Sequence, residues 1–199
     1  MNFLAHLYLS TNNTNIMIGN FIADGIRGNK YTHFHPEIQQ GILLHRQIDT
    51  YTDAHPIVRK SKRRLHKRYG HYSGVIIDLF YDHYLSKNWE AYSEIPLDIY
   101  LQSVYKLLQD NVEILPERTQ QLLPYLIQYD WLYNYQFFKG MEAILRGMNR
   151  RTQLKSKMDL AIEDLKNLHG EFEEDFTLFF KDLCIFSDRK LIEIQESTL

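Results

Sequence analysis

Cysteine, glycine, proline and net charge are all scarce in this sequence. Its 199 residues include one cysteine, Cys184, which excludes an intramolecular disulfide and is typical of a reducing compartment. The 9 glycines and 5 prolines are too few for a turn-rich β protein. The formal net charge of −2 gives the molecule little general attraction for nucleic acid. No run approaches the roughly 20 apolar residues of a membrane-spanning helix, and the first residues lack the basic region of a secretory signal. We therefore expect a cytoplasmic protein without a membrane segment, and nucleic acid is not the expected partner.

What the sequence does contain is apolar periodicity of about 3.6 residues along almost its whole length. Hydrophobic residues make up 44% of the chain, which is enough for a sizeable core. Prolines precede several of the periodic segments, as expected in a first helical turn. Because no repeat, low-complexity tract or linker interrupts the pattern, the sequence predicts a single-domain, all-α helical bundle over residues 1–199. The predicted helices span 2–10, 14–27, 36–54, 56–69, 73–89, 96–112, 117–132, 134–148 and 152–187, the last either unbroken or broken near Gly170.

Several predicted helices direct carboxylate or imidazole groups toward the core. The clearest case is the helix over 36–54, where His45 and Asp49 lie among isoleucines on the apolar face and Asp53 lies at its edge. The other residues of this kind are His6, Asp24, Asp78 and Asp82, with His83 beside Asp82 but pointing about 100° away.

These inward groups have two interpretations. A buried carboxylate without a partner is costly, so it becomes neutral, pairs with a cationic side chain or binds a metal cation. No Lys or Arg occupies a matching position on these faces. Taken singly, each residue is explained as a helix cap or a buried hydrogen-bonding group, and His6 fits a hydrogen-bonded core histidine. Taken together, they favour a divalent metal centre, and this ligand mixture suits Mn²⁺, Fe²⁺ or Mg²⁺.

Basic residues are concentrated in one predicted helix. Residues 59–68 hold seven Lys or Arg in ten positions, and like charges at helical spacing repel one another. The pattern fits either a solvated helix face or a docking surface for an acidic partner. By itself it does not decide between an acidic protein and nucleic acid as that partner. A smaller basic group, Arg146, Arg150 and Arg151, fits either stabilisation of a helix C-terminus or binding of phosphate oxygens by arginine forks.

Five segments of the sequence together resemble one enzyme family. They are MNFLAHL at 1–7, GNFIADGIRG at 19–28, HRQIDTYTD at 45–53, DLFYDHYL at 78–85 and GMNRR at 147–151. In this order and at these spacings, they make the chain similar to the acyl carrier protein phosphodiesterases over nearly its whole length. The resemblance implies hydrolysis of the phosphodiester that joins 4′-phosphopantetheine to a serine of acyl carrier protein.

The same resemblance implies an HD-domain-like helical fold and a metal-dependent reaction with Mn²⁺ as the usual activator. The chain departs from the HD pattern because it has no His-Asp dipeptide and carries the reverse order, Asp82-His83. The implied metal ligands are Asp24, His45, Asp49, Asp78 and Asp82. The implied acid, base or water-positioning residues are His6, Asp82 and His83.

Under this hypothesis the partner is acyl carrier protein, which is small and acidic. The implied docking residues are Arg59, Arg63, Arg64 and Lys67, and the implied phosphate ligands are Arg150 and Arg151. Two alternatives stay open. One is an HD-like phosphohydrolase for a nucleotide or another small phosphodiester, which would have no use for a large basic surface. The other is a non-catalytic helical module that binds an acidic partner and whose inward Asp and His are structural.

Overall fold

Helices make up the architecture of the computed structural model, which describes residues 3–197. Within that range there is no β-strand, so the all-α prediction is confirmed. Over the same range, no helix combines the length and hydropathy that crossing a membrane requires. The helices are α1 (Phe3–Tyr8), α2 (Thr14–Ile22), α3 (Pro36–Ala54), α4 (Pro56–Tyr69), α5 (Ser73–Lys87), α6 (Leu97–Asp110), α7 (Glu117–Gln128), α8 (Trp131–Asn134), α9 (Phe138–Arg151), α10 (Ala161–Asn167) and α11 (His169–Ser197).

Local sequence signals explain where several helices begin and end. The Asn13 side chain accepts hydrogen bonds from the backbone of Asn15 and Ile16, at 3.0 and 3.1 Å, and caps α2. Proline occupies the first position of α3 and of α4, whose bounds match the predicted ones. The predicted helix over 152–187 is divided, because α10 ends before Leu168 and α11 starts directly after it.

The core is built around α5 and α11. Almost every residue of α5 from Ile76 to Ser86 is buried, so this helix lies inside the bundle rather than on its surface. The long helix α11 packs against α3, α4 and α5. One hydrophobic cluster draws on residues from Leu4 to Ile194. The extent of the domain over residues 1–199 stays a prediction.

The most extensive helix pair is α2 with α3, and two glycines allow its close approach. A Cβ atom on Gly19 would lie 2.1 Å from the backbone oxygen of Ile38, and one on Gly41 would lie 2.1 Å from that of Ile16. No side chain fits at either position unless the two backbones separate. The crossing therefore brings the backbone of α2 directly against α3, just where both helices carry polar side chains.

A buried ionic contact joins the basic helix α4 to α11. Asp175 of α11 is 1% exposed and accepts hydrogen bonds from Ser61 at 2.7 Å and from Lys60 at 2.9 Å. Arg64 also donates to this carboxylate. Because hydrogen bonds to charged groups are among the strongest in proteins, the contact fixes one face of α4 against the bundle and leaves the opposite face to solvent.

Candidate metal centre and active site

Two buried histidines from different helices lie face to face. His6 of α1 and His45 of α3 are 2% and 6% exposed, and their ring centroids are 3.9 Å apart. Asn20 of α2 contacts both rings. Its side-chain Oδ1 lies 2.8 Å from Nδ1 of His6, and its backbone oxygen lies 2.8 Å from Nδ1 of His45.

These contacts determine which ring nitrogens carry the protons. A backbone carbonyl can only accept, so His45 must donate from Nδ1. The Asn20 amide nitrogen donates to the backbone oxygen of His6 and to the Ser10 hydroxyl, each at 2.9 Å, which leaves Oδ1 to accept from Nδ1 of His6. When neutral, both rings therefore present a lone pair at Nε2. Proteins commonly orient metal-binding histidines by such a bond from the other ring nitrogen.

Two carboxylates lie on the Nε2 side of the rings. Nε2 of His45 is 3.1 Å from Oδ2 of Asp49 and 3.3 Å from Oδ1 of Asp24. Nε2 of His6 is 3.3 Å from Oδ1 of Asp49. Asp49 follows His45 by one turn of α3, whereas Asp24 lies in the 3₁₀ turn that follows α2. One ligand atom each from His6, His45 and Asp49 lies within 4.8 Å of the others.

Burial and charge perturb these four groups in opposite directions. Burial, together with the charge of His45, lowers the pKa of His6 to about 4, so this ring is neutral near pH 7. Burial also lowers the pKa of His45, but its hydrogen bonds to Asp24 and Asp49 outweigh that effect and raise it to about 9. The bond with His45 lowers the pKa of Asp24. Burial opposes the ionisation of Asp49, yet its bond with His45 holds its pKa well below the ordinary value. The protein thus concentrates one positive charge between two carboxylates.

The donor set fits a divalent metal. Nε2 of His6 is buried and has no hydrogen-bond partner among residues 3–197, although a carboxylate oxygen of Asp49 is only 3.3 Å away. Since neutral His6 donates from Nδ1, its Nε2 is an acceptor that faces another acceptor. A bound cation would give Nε2 of His6 a partner and could replace the proton on Nε2 of His45. Nitrogen and carboxylate ligands without thiolates suit Mn²⁺, Fe²⁺ or Zn²⁺.

A polar cavity of about 510 Å³ opens beside these residues. Asp24 and Asp49 line it together with Asp53 and Asp78, so the predicted ligand Asp78 reaches the cavity without joining the group of ligand atoms that converge. The predicted phosphate ligand Arg151 also lines it.

Arg150, the other predicted phosphate ligand, does not line the cavity, and its side chain turns back toward the backbone oxygen of Arg146 at 3.5 Å. Arg118, near the start of α7, lines the cavity and was not predicted. No local pattern distinguishes Arg118 from a solvated surface arginine, because only the packing of α7 brings it here.

Asp82 and His83 do not belong to the group of converging ligand atoms formed by His6, His45 and Asp49. Asp82 is fully buried and accepts hydrogen bonds from the backbone nitrogens of Leu4 and Ala5, at 2.8 and 3.3 Å. These are amides of the first turn of α1, so the carboxylate caps that helix and lies where its dipole favours negative charge. This contact accounts for a buried Asp82 without any metal.

His83 has a structural environment of its own. Its Nδ1 donates to the backbone oxygen of Tyr135 at 2.6 Å, and its ring stacks on Phe138. The ring is 1% exposed, and burial lowers its pKa to about 4. Neither the polar cavity nor the group of ligand atoms includes His83, so the structure does not bring this predicted acid to the other site residues.

The predicted docking residues divide into two sets. Arg59, Arg63 and Lys67 are exposed on one stripe of α4, and within residues 3–197 none of them forms an ion pair with a carboxylate. Arg64 is different, because its guanidinium is paired with buried Asp175. The exposed stripe is therefore available to a partner, whereas Arg64 already holds α4 to α11.

Known proteins match the chain over most of its length. Residues 1–183 match the family model described as acyl carrier protein phosphodiesterase. A curated protein of that name from Photorhabdus laumondii subsp. laumondii is 30% identical over 184 residues, which are 90% of this chain and 91% of that protein. Its counterpart from Salmonella paratyphi A is 32% identical over 194 residues, which are 96% of this chain and 100% of that protein. No solved structure matches significantly, so the likeness to HD-domain phosphohydrolases stays a prediction. The family match and the near-complete coverage by these relatives show that the chain belongs to the acyl carrier protein phosphodiesterase family.

Proposed function

We propose that this protein is a metal-dependent phosphodiesterase that converts holo-acyl carrier protein into the apo form and releases 4′-phosphopantetheine. The name shared by the curated relatives supports the carrier protein as substrate. Metal dependence is supported by one observation above all, the convergence of His6, His45 and Asp49 with ligand atoms within 4.8 Å of one another. A cytoplasmic location stays a prediction.

His6, His45 and Asp49 would hold the ion, with Asp24 at the edge of the site, and Mn²⁺ is the expected metal. A bound divalent ion supplies activation of water near neutral pH and neutralisation of charge on the phosphate. His6 is better suited to be a ligand than to be the predicted acid, because Asn20 occupies its Nδ1 and its Nε2 faces Asp49.

The reaction adds water to phosphorus. The oxygen of water bonds to phosphorus while the bond from phosphorus to the serine oxygen breaks, and the serine regains a proton as an alcohol. The phosphate leaves with the pantetheine arm as a monoester. Asp53 and Asp78 line the cavity in which this occurs, and we expect one of them to orient the water or relay its proton.

Docking of the carrier protein is assigned to the exposed stripe of α4. Arg59, Arg63 and Lys67 recur at positions i, i+4 and i+8, on the side of α4 opposite its buried residues Val58 and Leu65. Positive charge on a rigid helix favours association with an acidic protein, and the attraction weakens as salt is added.

One assay tests the reaction. Full-length protein is mixed with holo-acyl carrier protein and Mn²⁺, with and without EDTA, and the carrier protein is weighed by mass spectrometry. We expect loss of one phosphopantetheine group, prevented by EDTA and by His45→Ala but not by His33→Ala, which changes an exposed histidine. A folded, metal-loaded sample that leaves holo-carrier protein intact would refute the substrate and direct the test to small phosphodiesters. Full activity in EDTA with no bound metal would refute metal dependence.

A kinetic comparison tests docking. Arg63→Glu should raise KM for holo-carrier protein more than it lowers kcat, because the exposed stripe contacts the protein substrate rather than the reacting atoms. Lys106→Glu is the control, since Lys106 lies on α6 and forms only an exposed pair with Asp110. Equal changes in KM for the two variants would contradict the assignment.

A further inference from the structure

The polar cavity beside the histidines adjoins a second, larger cavity of about 1040 Å³. The two share one wall, formed by Asp24, Arg118 and Arg151 with the apolar side chains of Phe3, Leu79 and Met148. Any molecule that extends from one cavity to the other must pass these residues. Ligand cavities in proteins typically measure roughly 300–1,000 Å³, so the larger one has room for an extended organic group.

The larger cavity, hereafter the apolar groove, is lined mainly by hydrophobic and aromatic side chains from α2, α7, α8 and α9. Tyr125 and Tyr129 are 55% and 56% exposed, and Phe137 is 47% exposed, although all three are large apolar groups. Exposed aromatic residues gathered around a concave surface mark a binding site more often than a solvated face. Gln121 and Asn134 add amide groups to the same lining.

The two arginines at the junction have no acidic partner of their own. Neither Arg118 nor Arg151 forms an ion pair within residues 3–197, and both are exposed. Arginine forks match phosphate oxygens in shape and charge. A phosphodiester at the junction would place its anionic oxygens near these guanidinium groups, beside Asp24 and the proposed metal ligands.

We propose that Arg118 and Arg151 bind the phosphodiester at this junction and that the apolar groove binds the phosphopantetheine arm that leaves with the phosphate. This inference rests on the proposed function. The arm carries a dimethyl carbon next to its phosphate end, and Phe3, Leu79 and Met148 supply apolar contacts there. Its two amides lie further along, where the groove offers Gln121 and Asn134. The arrangement places the carrier protein on the other side of the scissile bond, outside the groove.

Binding of free ligands tests the arginines without relying on turnover. Calorimetry with the full chain and Mn²⁺ compares 4′-phosphopantetheine with pantetheine, which lacks the phosphate. Loss of charged hydrogen bonds in Arg118→Ala should weaken binding of 4′-phosphopantetheine by about tenfold to a hundredfold and leave pantetheine unchanged. Arg118→Lys keeps the charge without the fork and should recover only part of the affinity. Unchanged affinity in Arg118→Ala, or no binding of 4′-phosphopantetheine to the wild type at millimolar concentration, would overturn the proposal.

A glycine allows the groove to be filled. Gly147 lines it on α9, and a Cβ atom there would meet nothing within 4 Å. Gly147→Leu should therefore fold and weaken binding of both pantetheine compounds at least tenfold, and Ala143→Leu, on the same wall, should act alike. Gly170→Leu is the matched control, because Gly170 is also helical and has open space around it but lies outside the groove. If Gly147→Leu and Gly170→Leu bind equally well, the arm does not occupy the groove.

The two hypotheses fail in different ways. If the wild type does not cleave holo-carrier protein, the proposed function is refuted. If it does cleave, but neither the Arg118 nor the Gly147 variants change the affinity for 4′-phosphopantetheine or KM for holo-carrier protein, only the position of the phosphodiester and its arm is refuted.

Discussion

Replacement of Asn20 by leucine tests whether a buried amide orients the proposed metal ligands. Leucine has nearly the same size, so the change removes hydrogen bonds rather than volume. The side chain of Asn20 has three close polar contacts, one with Nδ1 of His6 at 2.8 Å and two, at 2.9 Å, with the backbone oxygen of His6 and the hydroxyl of Ser10. The bond from His45 to the backbone oxygen of residue 20 does not depend on the side chain.

The magnitude follows from these contacts. Each hydrogen bond contributes roughly 0.5–1.5 kcal/mol net, and a buried polar group left without a partner costs about 1–3 kcal/mol. Because Ser10 can still donate to the backbone of His6, we expect Asn20→Leu to lower the free energy of unfolding by about 2–4 kcal/mol. His6 would also lose the bond that keeps its lone pair at Nε2, and loss of such a contact typically weakens metal binding by about 10–100-fold.

Urea unfolding and calorimetric titration with Mn²⁺ measure the two effects separately. Asn149→Leu is the matched control, because Asn149 is also a buried amide and bonds to Asp159 and Ser156 away from the histidines. It should lower stability without changing Mn²⁺ affinity. A folded Asn20→Leu protein that binds Mn²⁺ as tightly as the wild type would refute the claim that Asn20 orients His6 for a metal.

Three further changes test the scaffold. Gly41→Ala should lower the free energy of unfolding by about 3 kcal/mol in urea, because its Cβ would lie 2.1 Å from a backbone oxygen of α2. Asp175→Asn should cost about 2 kcal/mol in the same assay, because Lys60 and Arg64 lose a charged acceptor but are partly exposed and so remain hydrated. His83 has a pKa of about 4 when folded and about 6.5 when unfolded, so the unfolded chain binds more protons between these values. Stability should therefore fall as the pH drops from 6.5 to 4, and His83→Asn should remove up to about 3 kcal/mol of that loss, measured by unfolding at pH 7 and pH 4.5.

Matched variants show what would contradict these expectations. Gly74→Ala places a Cβ no closer than 3.6 Å to any neighbour and should stabilise the protein slightly, so an equal effect of Gly41→Ala would refute the close approach of α2 and α3. Asp53→Asn breaks an exposed ion pair and should lower the free energy of unfolding by less than about 1 kcal/mol. A similarly small loss in Asp175→Asn would refute the claim that the buried contact contributes more than an exposed pair. An unchanged dependence on pH in His83→Asn would show that His83 does not titrate as its burial implies.

Helical periodicity predicted most of the fold and part of the site. The bounds of α3 and α4 match the predicted ones, because proline at the first position and an amphipathic pattern both act locally. The pair His45 and Asp49 was found the same way, since residues four apart share a face of one helix. The sequence contained Asn20 on the same face as Asp24, but an amide carries no sign of which ring it will contact.

Residues whose roles depend on packing between distant segments could not be assigned. Asp82 and Asp49 both interrupt apolar stripes, yet one carboxylate caps α1 and the other faces two histidines. The two carboxylates therefore look alike in the sequence. A buried carboxylate needs partners, but its position on an apolar stripe does not show whether those partners are backbone amides or a metal cation. Arg64 and Arg63 were likewise equivalent in the sequence, and only the position of Asp175 on α11 separates them.

The close packing of α2 against α3 also determines the geometry of the proposed metal site. The backbone oxygen of Asn20 reaches His45 only because Gly19 and Gly41 let the two helices approach to a separation that no Cβ permits. A methyl group at either glycine would separate the helices, lengthen this bond and move Asp24 away from the imidazole. Gly41→Ala should therefore lose Mn²⁺ affinity in proportion to the loss of the bond from His45, even in conditions that keep the variant folded. Asp175→Asn is destabilised at the contact between α4 and α11, which includes no residue of α2, and should keep full affinity. Comparison of the two variants therefore separates loss of site geometry from loss of stability.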